Sequence, residues 1–194
     1  MVEKKNIFIF LGHPDKETKG GLFADAYERG AREAGFEVQR INIGDLHFDP
    51  ILHKGYKVIQ ELEPDLLRVQ EAIKWAHHVV ILYPTWFSTM PALLKGFFDR
   101  AWLPGFAFHF NKNGLGWKRL LKGRSARVIV TSDSPAFMLW VLFGDTTNEI
   151  KRGILRFAGF SPVRILRIGG IKNASEAKKQ RLAEKVYRLG KKGK

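Results

Sequence analysis

The sequence predicts a doubly wound α/β domain in which a parallel sheet of five strands carries helices on both faces. Five short apolar segments alternate along the chain with five segments of helical periodicity, and most connecting turns are short. Because each return to a parallel strand needs a right-handed crossover, this alternation favours a parallel sheet. The 194 residues, 45% of them hydrophobic, suit one domain over 1–194 with no internal linker or repeat.

The predicted strands are apolar runs bounded by glycine, proline or polar residues. Asn6–Leu11 is continuously apolar after its first residue, which is typical of a strand covered on both faces. The second strand, 36–43, alternates apolar and polar residues. The other three predicted strands are 78–83, 126–131 and 162–168.

The predicted helices have apolar residues spaced three and four apart, or a proline in the first turn. The first covers 21–34, where the apolar residues form one stripe, and Gly35 ends it. Segments 64–77 and 91–102 each begin at a proline, which is favoured at the first helical position. The last two helices are predicted over about 146–157 and 174–189.

Two segments do not fit the regular alternation. The stretch 102–124 is rich in glycine and aromatic residues, and long loops of this kind tend to be functional. Segment 132–144 fits either a loop or a short helix. The second segment directly follows the fourth predicted strand.

The net charge of +14, from 33 Lys and Arg against 19 Asp and Glu, favours anionic partners. Residues 172–194, a predicted helix with a basic tail, carry nine of these basic residues. Such a segment is either a solvated helix face or a contact for an anionic membrane surface. No helix-turn-helix, zinc finger or aromatic RNA-binding strand accompanies the charge, so we expect no specific nucleic-acid partner.

The absence of cysteine excludes a disulfide scaffold, a thiol nucleophile, a cysteine-ligated zinc site and a cysteinyl iron–sulfur cluster. No run of about 20 apolar residues occurs, so no transmembrane helix is predicted. Residues 1–5 lead into the first strand without a small-residue cleavage site of the signal-peptide type. We therefore expect a cytoplasmic protein without a bound metal.

In a doubly wound sheet, ligands bind beyond the carboxyl ends of the strands, where the strand order reverses. After the first strand, the segment 12–21 matches neither a dinucleotide-binding glycine motif nor a P-loop. It does open a helix, whose N-terminus favours an anion, with a hydroxyl at Thr18, a charge at Lys19 and close access at Gly20. Thr18 also fits a simple helix cap, and His13 a structural hydrogen bond.

Two further loops follow the third and fourth strands. Segment 83–91 holds two prolines, the adjacent aromatic residues Trp86 and Phe87, and neighbouring hydroxyls. Such a rigid aromatic loop suits a flat cofactor with polar edges. Segment 131–135 is small and polar, which leaves room for a ligand but also fits an ordinary turn. Together the three loops predict one site for a phosphate, a ring and a ring edge.

The segment 83–100, Y-P-T-W-F-S-T-M-P-A-L-L-K-G-F-F-D-R, resembles a characteristic run of the flavodoxin-like NAD(P)H:quinone oxidoreductases. This group includes DT-diaphorase, the bacterial quinone reductases and the modulators of drug activity. The segments 13–18, 105–108 and 154–162 are also similar to its motifs, so the resemblance covers essentially the whole chain. It implies a flavodoxin-like fold with five parallel strands.

The resemblance also implies roles for individual residues. The ribityl or pyrophosphate part of a bound FMN or FAD would contact His13, Thr18, Lys19 and Gly20. Its ring would lie along Pro84, Thr85, Trp86, Phe87 and Ser88, with its far edge at Thr131, Ser132, Asp133 and Ser134. A substrate pocket at a homodimer interface would be shaped by Phe106, Phe108 and Phe110.

The chain departs from this family at three places. Thr18 stands where a serine is common, which keeps the hydroxyl, and Lys19-Gly20 replace Phe-Asn of the fuller motif. Animal members have Gly-Gly and then a tyrosine and a histidine used in hydride transfer, where this chain has Asp133-Ser134 and then Leu139 and Asp145. The tyrosine–histidine relay is therefore not transferred, and no side chain is assigned as catalytic.

The function implied by the resemblance is hydride transfer from NADH or NADPH, through a flavin, to a quinone or a similar acceptor. The short C-terminus favours FMN over FAD. An alternative is a regulatory or docking subunit of the kind found beside potassium-efflux systems, with little turnover. Electron carriage of the flavodoxin type is disfavoured, because such carriers are strongly acidic and this chain carries +14.

Overall fold

The computed structural model describes residues 6–112 and 115–194. Residues 1–5, which the sequence predicts to precede the first strand, and residues 113–114, within the predicted long loop, lie outside this range. The described residues form seven strands, in chain order β1 (Asn6–Leu11), β2 (Glu37–Asn42), β3 (His78–Pro84), β4 (Phe108–Phe110), β5 (Trp117–Arg119), β6 (Ser125–Thr131) and β7 (Val163–Ile168).

Helices fill the connections between the strands of the main sheet, and one more helix follows β7. A π-helix, Glu149–Arg156, precedes β7. The α-helices found within 6–112 and 115–194 are α1 (Lys19–Glu33), α2 (Pro64–Trp75), α3 (Ala92–Ala101), α4 (Ala136–Phe143) and α5 (Glu176–Lys191).

The main sheet is parallel throughout and has the order β2-β1-β3-β6-β7. The predicted flavodoxin-like fold with five parallel strands is therefore confirmed. The order reverses between β1 and β3, where Leu11 pairs with Leu82. Farther along, Pro84 at the end of β3 pairs with Thr131 at the end of β6. The loops after these three strands consequently leave the sheet side by side.

Each face of the sheet covers a separate apolar core, and successive side chains of β1 point alternately into the two cores. Phe8 and Phe10 point into the core beneath α2, α3 and the π-helix. Ile7, Ile9 and Leu11 point into the core beneath α1 and α5. All five side chains are almost completely buried, which explains the continuous apolar run in the sequence.

Three segments differ in detail from the predictions. The predicted loop 102–124 contains an antiparallel hairpin, β4 with β5. Its strands have only three residues each, too short for a visible alternation. Segment 132–144 contains α4, the short helix that the sequence allowed. The predicted helix 146–157 is wound mainly as a π-helix, a geometry that hydrophobic periodicity does not distinguish.

The long connection from β2 to α2, residues 43–63, is held against α3 by a buried arginine. Arg100 is 1% exposed, and its guanidinium lies 2.8 Å from Glu63 Oε2. It also donates a hydrogen bond of 2.7 Å to the Glu61 carbonyl and another to the Asp49 carbonyl. Burial alone would raise the pKa of Glu63, but backbone hydrogen bonds and Arg100 lower it below its ordinary value. Glu63 is therefore ionised and paired at neutral pH.

We expect Arg100→Ala to lower the free energy of unfolding by about 3 kcal/mol, because it leaves Glu63 and two carbonyls without their donor. Lys95→Ala is the matched control, since Lys95 pairs with Asp99 at 2.6 Å on the exposed face of the same helix. Its cost should stay within about 0.5 kcal/mol. Urea unfolding followed by circular dichroism measures both, and equal losses would contradict the anchoring role.

Candidate functional site

A cavity of about 1170 Å³ opens at the carboxyl edge of the sheet, between the loops that follow β1, β3 and β6. This volume is slightly larger than that of most sites that hold small molecules and cofactors, roughly 300–1,000 Å³. The structure brings all of the residues predicted to contact a cofactor to its wall: His13, Thr18, Lys19, Gly20, Pro84, Thr85, Trp86, Phe87, Ser88, Thr131, Ser132, Asp133 and Ser134.

The loop after β1 packs tightly against the start of α1. Thr18 is the N-cap of this helix, and its Oγ1 accepts a hydrogen bond of 3.3 Å from Gly21 N. A Cβ on Gly21 would lie 1.9 Å from the Lys16 carbonyl oxygen, so only glycine allows this approach. The other first-turn N–H groups have no acceptor within the helix, as at any helix N-terminus. This end of the cavity therefore suits an anion.

The basic side chains around this end already have protein partners. Lys19 Nζ donates to the Ile171 carbonyl at 3.0 Å, and Lys16 Nζ lies 3.1 Å from Asp45. Arg40 pairs with Asp25 and lies 3.4 Å from Glu28. These cations raise the local potential, while the first-turn N–H groups of α1 other than Gly21 N have no acceptor within the helix.

The loop after β3 forms a tight turn that displays an aromatic pair. Trp86 and Thr89 exchange two backbone hydrogen bonds, of 2.9 and 3.1 Å. Between them, Phe87 and Ser88 have φ values of 47° and 66°, the left-handed region that non-glycine residues rarely adopt. Phe87 is fully exposed and Trp86 is 44% exposed, so neither side chain is part of the core. Strain of this kind is concentrated at functional sites.

Contacts between the loops fix the turn 86–89 relative to the α1 N-terminus. The Trp86 ring lies edge-on to His13, with 5.5 Å between the ring centroids. His13 Nδ1 also accepts a hydrogen bond of 2.9 Å from Asp15 N. Thr85 lines the cavity, and its buried Oγ1 has no hydrogen-bond partner among residues 6–112 and 115–194. His13 thus has a structural role whether or not a ligand is bound.

Glu149 was not identified as a site residue from the sequence. It stabilises the aromatic turn, residues 86–89, through hydrogen bonds to its last residue and to the residue that follows. Its Oε1 accepts hydrogen bonds from Thr89 Oγ1 and, at 3.4 Å, from Met90 N. Burial raises the pKa of the nearby Tyr83 phenol above its usual range, and the Glu149 carboxylate raises it further. Tyr83 therefore stays protonated at neutral pH, at the base of the turn.

The loop after β6 is pinned to the end of β7. Ser132 Oγ donates to the Ser134 carbonyl at 2.8 Å, which closes the turn on itself. The Ser134 carbonyl also accepts from Gly170 N at 3.0 Å, and the Ser132 carbonyl from Ile171 N at 3.2 Å. The small polar residues thus form a fixed wall of the cavity.

The three phenylalanines predicted to shape a substrate pocket are not together. Phe106 is 7% exposed and packs edge-on against Trp102 in the core, with 5.6 Å between the ring centroids. Phe108 and Phe110 line a second, apolar cavity of about 510 Å³, with Phe98, Trp102 and Phe157. Phe106 and Phe108 lie in different surroundings because the backbone enters the β4–β5 hairpin between them. Within one chain, none of the three lines the larger cavity.

The larger cavity also has wall residues that the sequence reasoning missed. Arg40 and Asp25 reach it only because β2 and α1 lie beside β1, so no local motif marks them. The remaining missed residues are apolar or flank the predicted positions: Lys16, Glu17, Leu22, Leu139, Phe143 and Ile171.

Neither a metal centre nor a membrane span was found in the part of the chain that the structure describes. No cluster of His, Cys, Asp or Glu within 6–112 and 115–194 could hold a metal ion. Across the same ranges, none of the helices combines the length and apolar character needed to cross a bilayer.

Two solved structures share this architecture. Smu.1420 from Streptococcus mutans superposes with a TM-score of 0.81 at 26% identity, covering 96% of this chain and 99% of its own. An FMN-dependent NADH-azoreductase from Bacillus anthracis, solved with FMN, has a TM-score of 0.72 at 21% identity, covering 97% and 98%.

Rat NAD(P)H dehydrogenase (quinone) 1 is 23% identical over 181 residues, which are 80% of this chain and 65% of that protein. The chain thus spans about two thirds of the length of the curated relatives that it matches. The model of the Flavodoxin_2 family, described as having a flavodoxin-like fold, matches residues 5–192. The chain therefore belongs to the Flavodoxin_2 family.

Proposed function

We propose that this protein binds FMN in the larger cavity and uses it to oxidise NAD(P)H and reduce a quinone or a similar flat acceptor. The observation that carries the proposal is the meeting of three loops in one cavity. A helix N-terminus, an exposed aromatic turn and a small polar wall lie around the same space. These match the phosphate, the ring and the polar ring edge of a flavin.

The residues present fit such a group on structural grounds. Close packing of Gly21 on the Lys16 carbonyl shapes a cradle at the phosphate end. Thr85 Oγ1 lacks a partner among the described residues. At the turn, Trp86 and Phe87 expose apolar surface that the core does not use. The names of the FMN-dependent relative and of the quinone dehydrogenase agree with this assignment.

Each part of the cavity then has a separate task. The α1 N-terminus with Thr18 holds the phosphate, the turn 84–88 supports the ring, and the wall 131–134 lies at its far edge. A bound flavin supplies the redox chemistry by accepting a hydride and passing on two electrons. The protein binds, orients and shields it, so no nucleophilic side chain is needed, in agreement with the absence of cysteine.

The charge and the second cavity bear on the partners of this reaction. A net charge of +14 attracts the phosphates of NADH or NADPH from a distance, without selecting between the two. The apolar cavity with Phe108 and Phe110 is open to solvent, and Phe110 is largely exposed. Exposed apolar surface of this kind fits a homodimer interface, which we propose as the assembly.

Turnover tests the proposed function. Protein loaded with FMN should oxidise NADH or NADPH when menadione is added, followed by the loss of reduced-nicotinamide absorbance. Slow oxidation without menadione and fast oxidation with it is the expected result. Flavin-loaded protein without acceptor-dependent oxidation would contradict the enzyme and favour the docking-subunit alternative.

We expect Trp86→Ala with Phe87→Ala to weaken FMN binding at least about tenfold, because aromatic stacking is worth about 0.5–1.5 kcal/mol beyond the buried area. The fold should persist, since both side chains are exposed. Val58→Ala with Ile59→Ala is the matched control, an exposed apolar pair outside the cavity. Flavin-fluorescence titration measures both variants, and equal affinities would contradict the placement of the ring.

Gly21→Ala should also weaken FMN binding at least about tenfold, or about 1.4 kcal/mol, because the new Cβ displaces the loop at Lys16. Gly153→Ala is the control, since a Cβ there meets no atom within 4 Å. Circular dichroism confirms that each variant is folded before the titration. A Gly21→Ala protein that binds FMN like the parent would show that this loop does not hold the phosphate.

A further inference from the structure

Helix α4 exposes an unusual amount of apolar surface for its length. Its eight residues, A-F-M-L-W-V-L-F, include no polar side chain, and none is buried. The side chains between 43% and 70% exposed are Phe137, Met138, Trp140, Val141, Leu142 and Phe143. Apolar surface this concentrated on a monomer marks an interaction site.

The exposed side chains surround nearly the whole circumference of the helix. At 100° per residue, these six positions cover most directions, and only Ala136 and Leu139 turn towards the rest of the protein. A rigid protein partner covers one side of a helix, whereas a fluid apolar phase surrounds it. A helix that is apolar all round is typical of a core or of a membrane.

Basic residues stand beside the start of α4. The Ser134 carbonyl binds Gly170 N, and Lys178 Nζ lies 3.5 Å from where a Cβ on Gly170 would stand. Lys172 follows closely in the same connection, ahead of the basic helix α5. The nearby acids are Asp133, Asp145 and Glu176, of which Asp145 is paired with Arg167 and Glu176 with Lys179.

We infer that α4, together with the basic start of α5, docks this protein on an anionic lipid surface. The aromatic residues Phe137, Trp140 and Phe143 enter the boundary between headgroups and acyl chains, and the lysines bind the lipid phosphates. Eight residues are too few to span a bilayer, which needs about 20. The helix therefore lies in the interface.

Charge favours anionic lipid over a second copy of the chain as the partner that covers α4. The homodimer proposed above uses the apolar surface at Phe108 and Phe110, which is a different surface from α4. At α4 itself, Lys172 and Lys178 attract anionic lipid, whereas a second copy would bring the same positive charge against them. A two-fold contact between α4 helices would also leave their outer sides in water. An anionic bilayer satisfies both the charge and the all-round apolar surface.

Docking in this way has a consequence for the larger cavity. Leu139 and Phe143 line that cavity as well as belonging to α4, so the cavity opens next to the docked helix. An acceptor dissolved in the lipid would then have a short path to the cavity. This consequence rests on the proposed function, whereas the docking does not.

Vesicle sedimentation of the full chain, without added flavin, tests the docking separately from the redox activity. The vesicles contain either phosphatidylglycerol mixed with phosphatidylcholine or phosphatidylcholine alone. The test variant is Phe137→Glu with Val141→Glu, two exposed residues one turn apart. The matched control is Val58→Glu with Ile59→Glu, which makes the same change in net charge at another exposed apolar pair. Circular dichroism confirms that both variants are folded.

We expect the parent and the control to bind the anionic vesicles, at least tenfold more tightly than the neutral ones. The α4 variant should bind the anionic vesicles at least tenfold more weakly than the control. A parent that stays in the supernatant, or an α4 variant that binds as the control does, would overturn the proposal. So would sedimentation equilibrium in lipid-free buffer showing a dimer that only the α4 variant disrupts, because the occupant would then be a second copy.

Discussion

The parallel pairing of β1 with β3, and of β3 with β6, is the constraint on which the site depends. Those two ladders end at Leu11–Leu82 and at Pro84–Thr131, so three loops leave the sheet within one small region. The ladder continues beyond the strands, because Gly12 N donates to the Leu82 carbonyl and Thr85 N to the Thr131 carbonyl. Small side chains and close backbone approaches then keep the space between the loops open. The cavity is thus a product of the strand order more than of any single motif.

Most of the fold and of the cavity wall could be predicted from the sequence, because their signals are local. The apolar run before Gly12, the prolines around Trp86 and Phe87, and the small residues after Thr131 each mark the end of a strand. The order of a doubly wound sheet then brings such ends together. Strand and helix positions depend on short-range periodicity, which the sequence carries plainly.

The features that the sequence did not predict depend on contacts between segments that are distant along the chain. Glu149 supports a turn 60 residues away, and Arg100 anchors a connection some 37 to 51 residues distant, with no local pattern to show either. The hairpin decided that Phe106 enters the core while Phe108 and Phe110 line the second cavity. The exposure of α4 could not be predicted either, because an apolar run by itself indicates burial. Only the structure shows that no other segment covers these side chains among the described residues.

The central claim is that the larger cavity holds a flavin with its phosphate at the α1 N-terminus. A crystal structure of the protein grown with excess FMN tests this most directly. We expect ring density beside Trp86 and Phe87, and phosphate density within hydrogen-bonding distance of the backbone at Thr18 to Gly20. A cavity that stays empty at saturating FMN, or a flavin bound elsewhere on the chain, would contradict it.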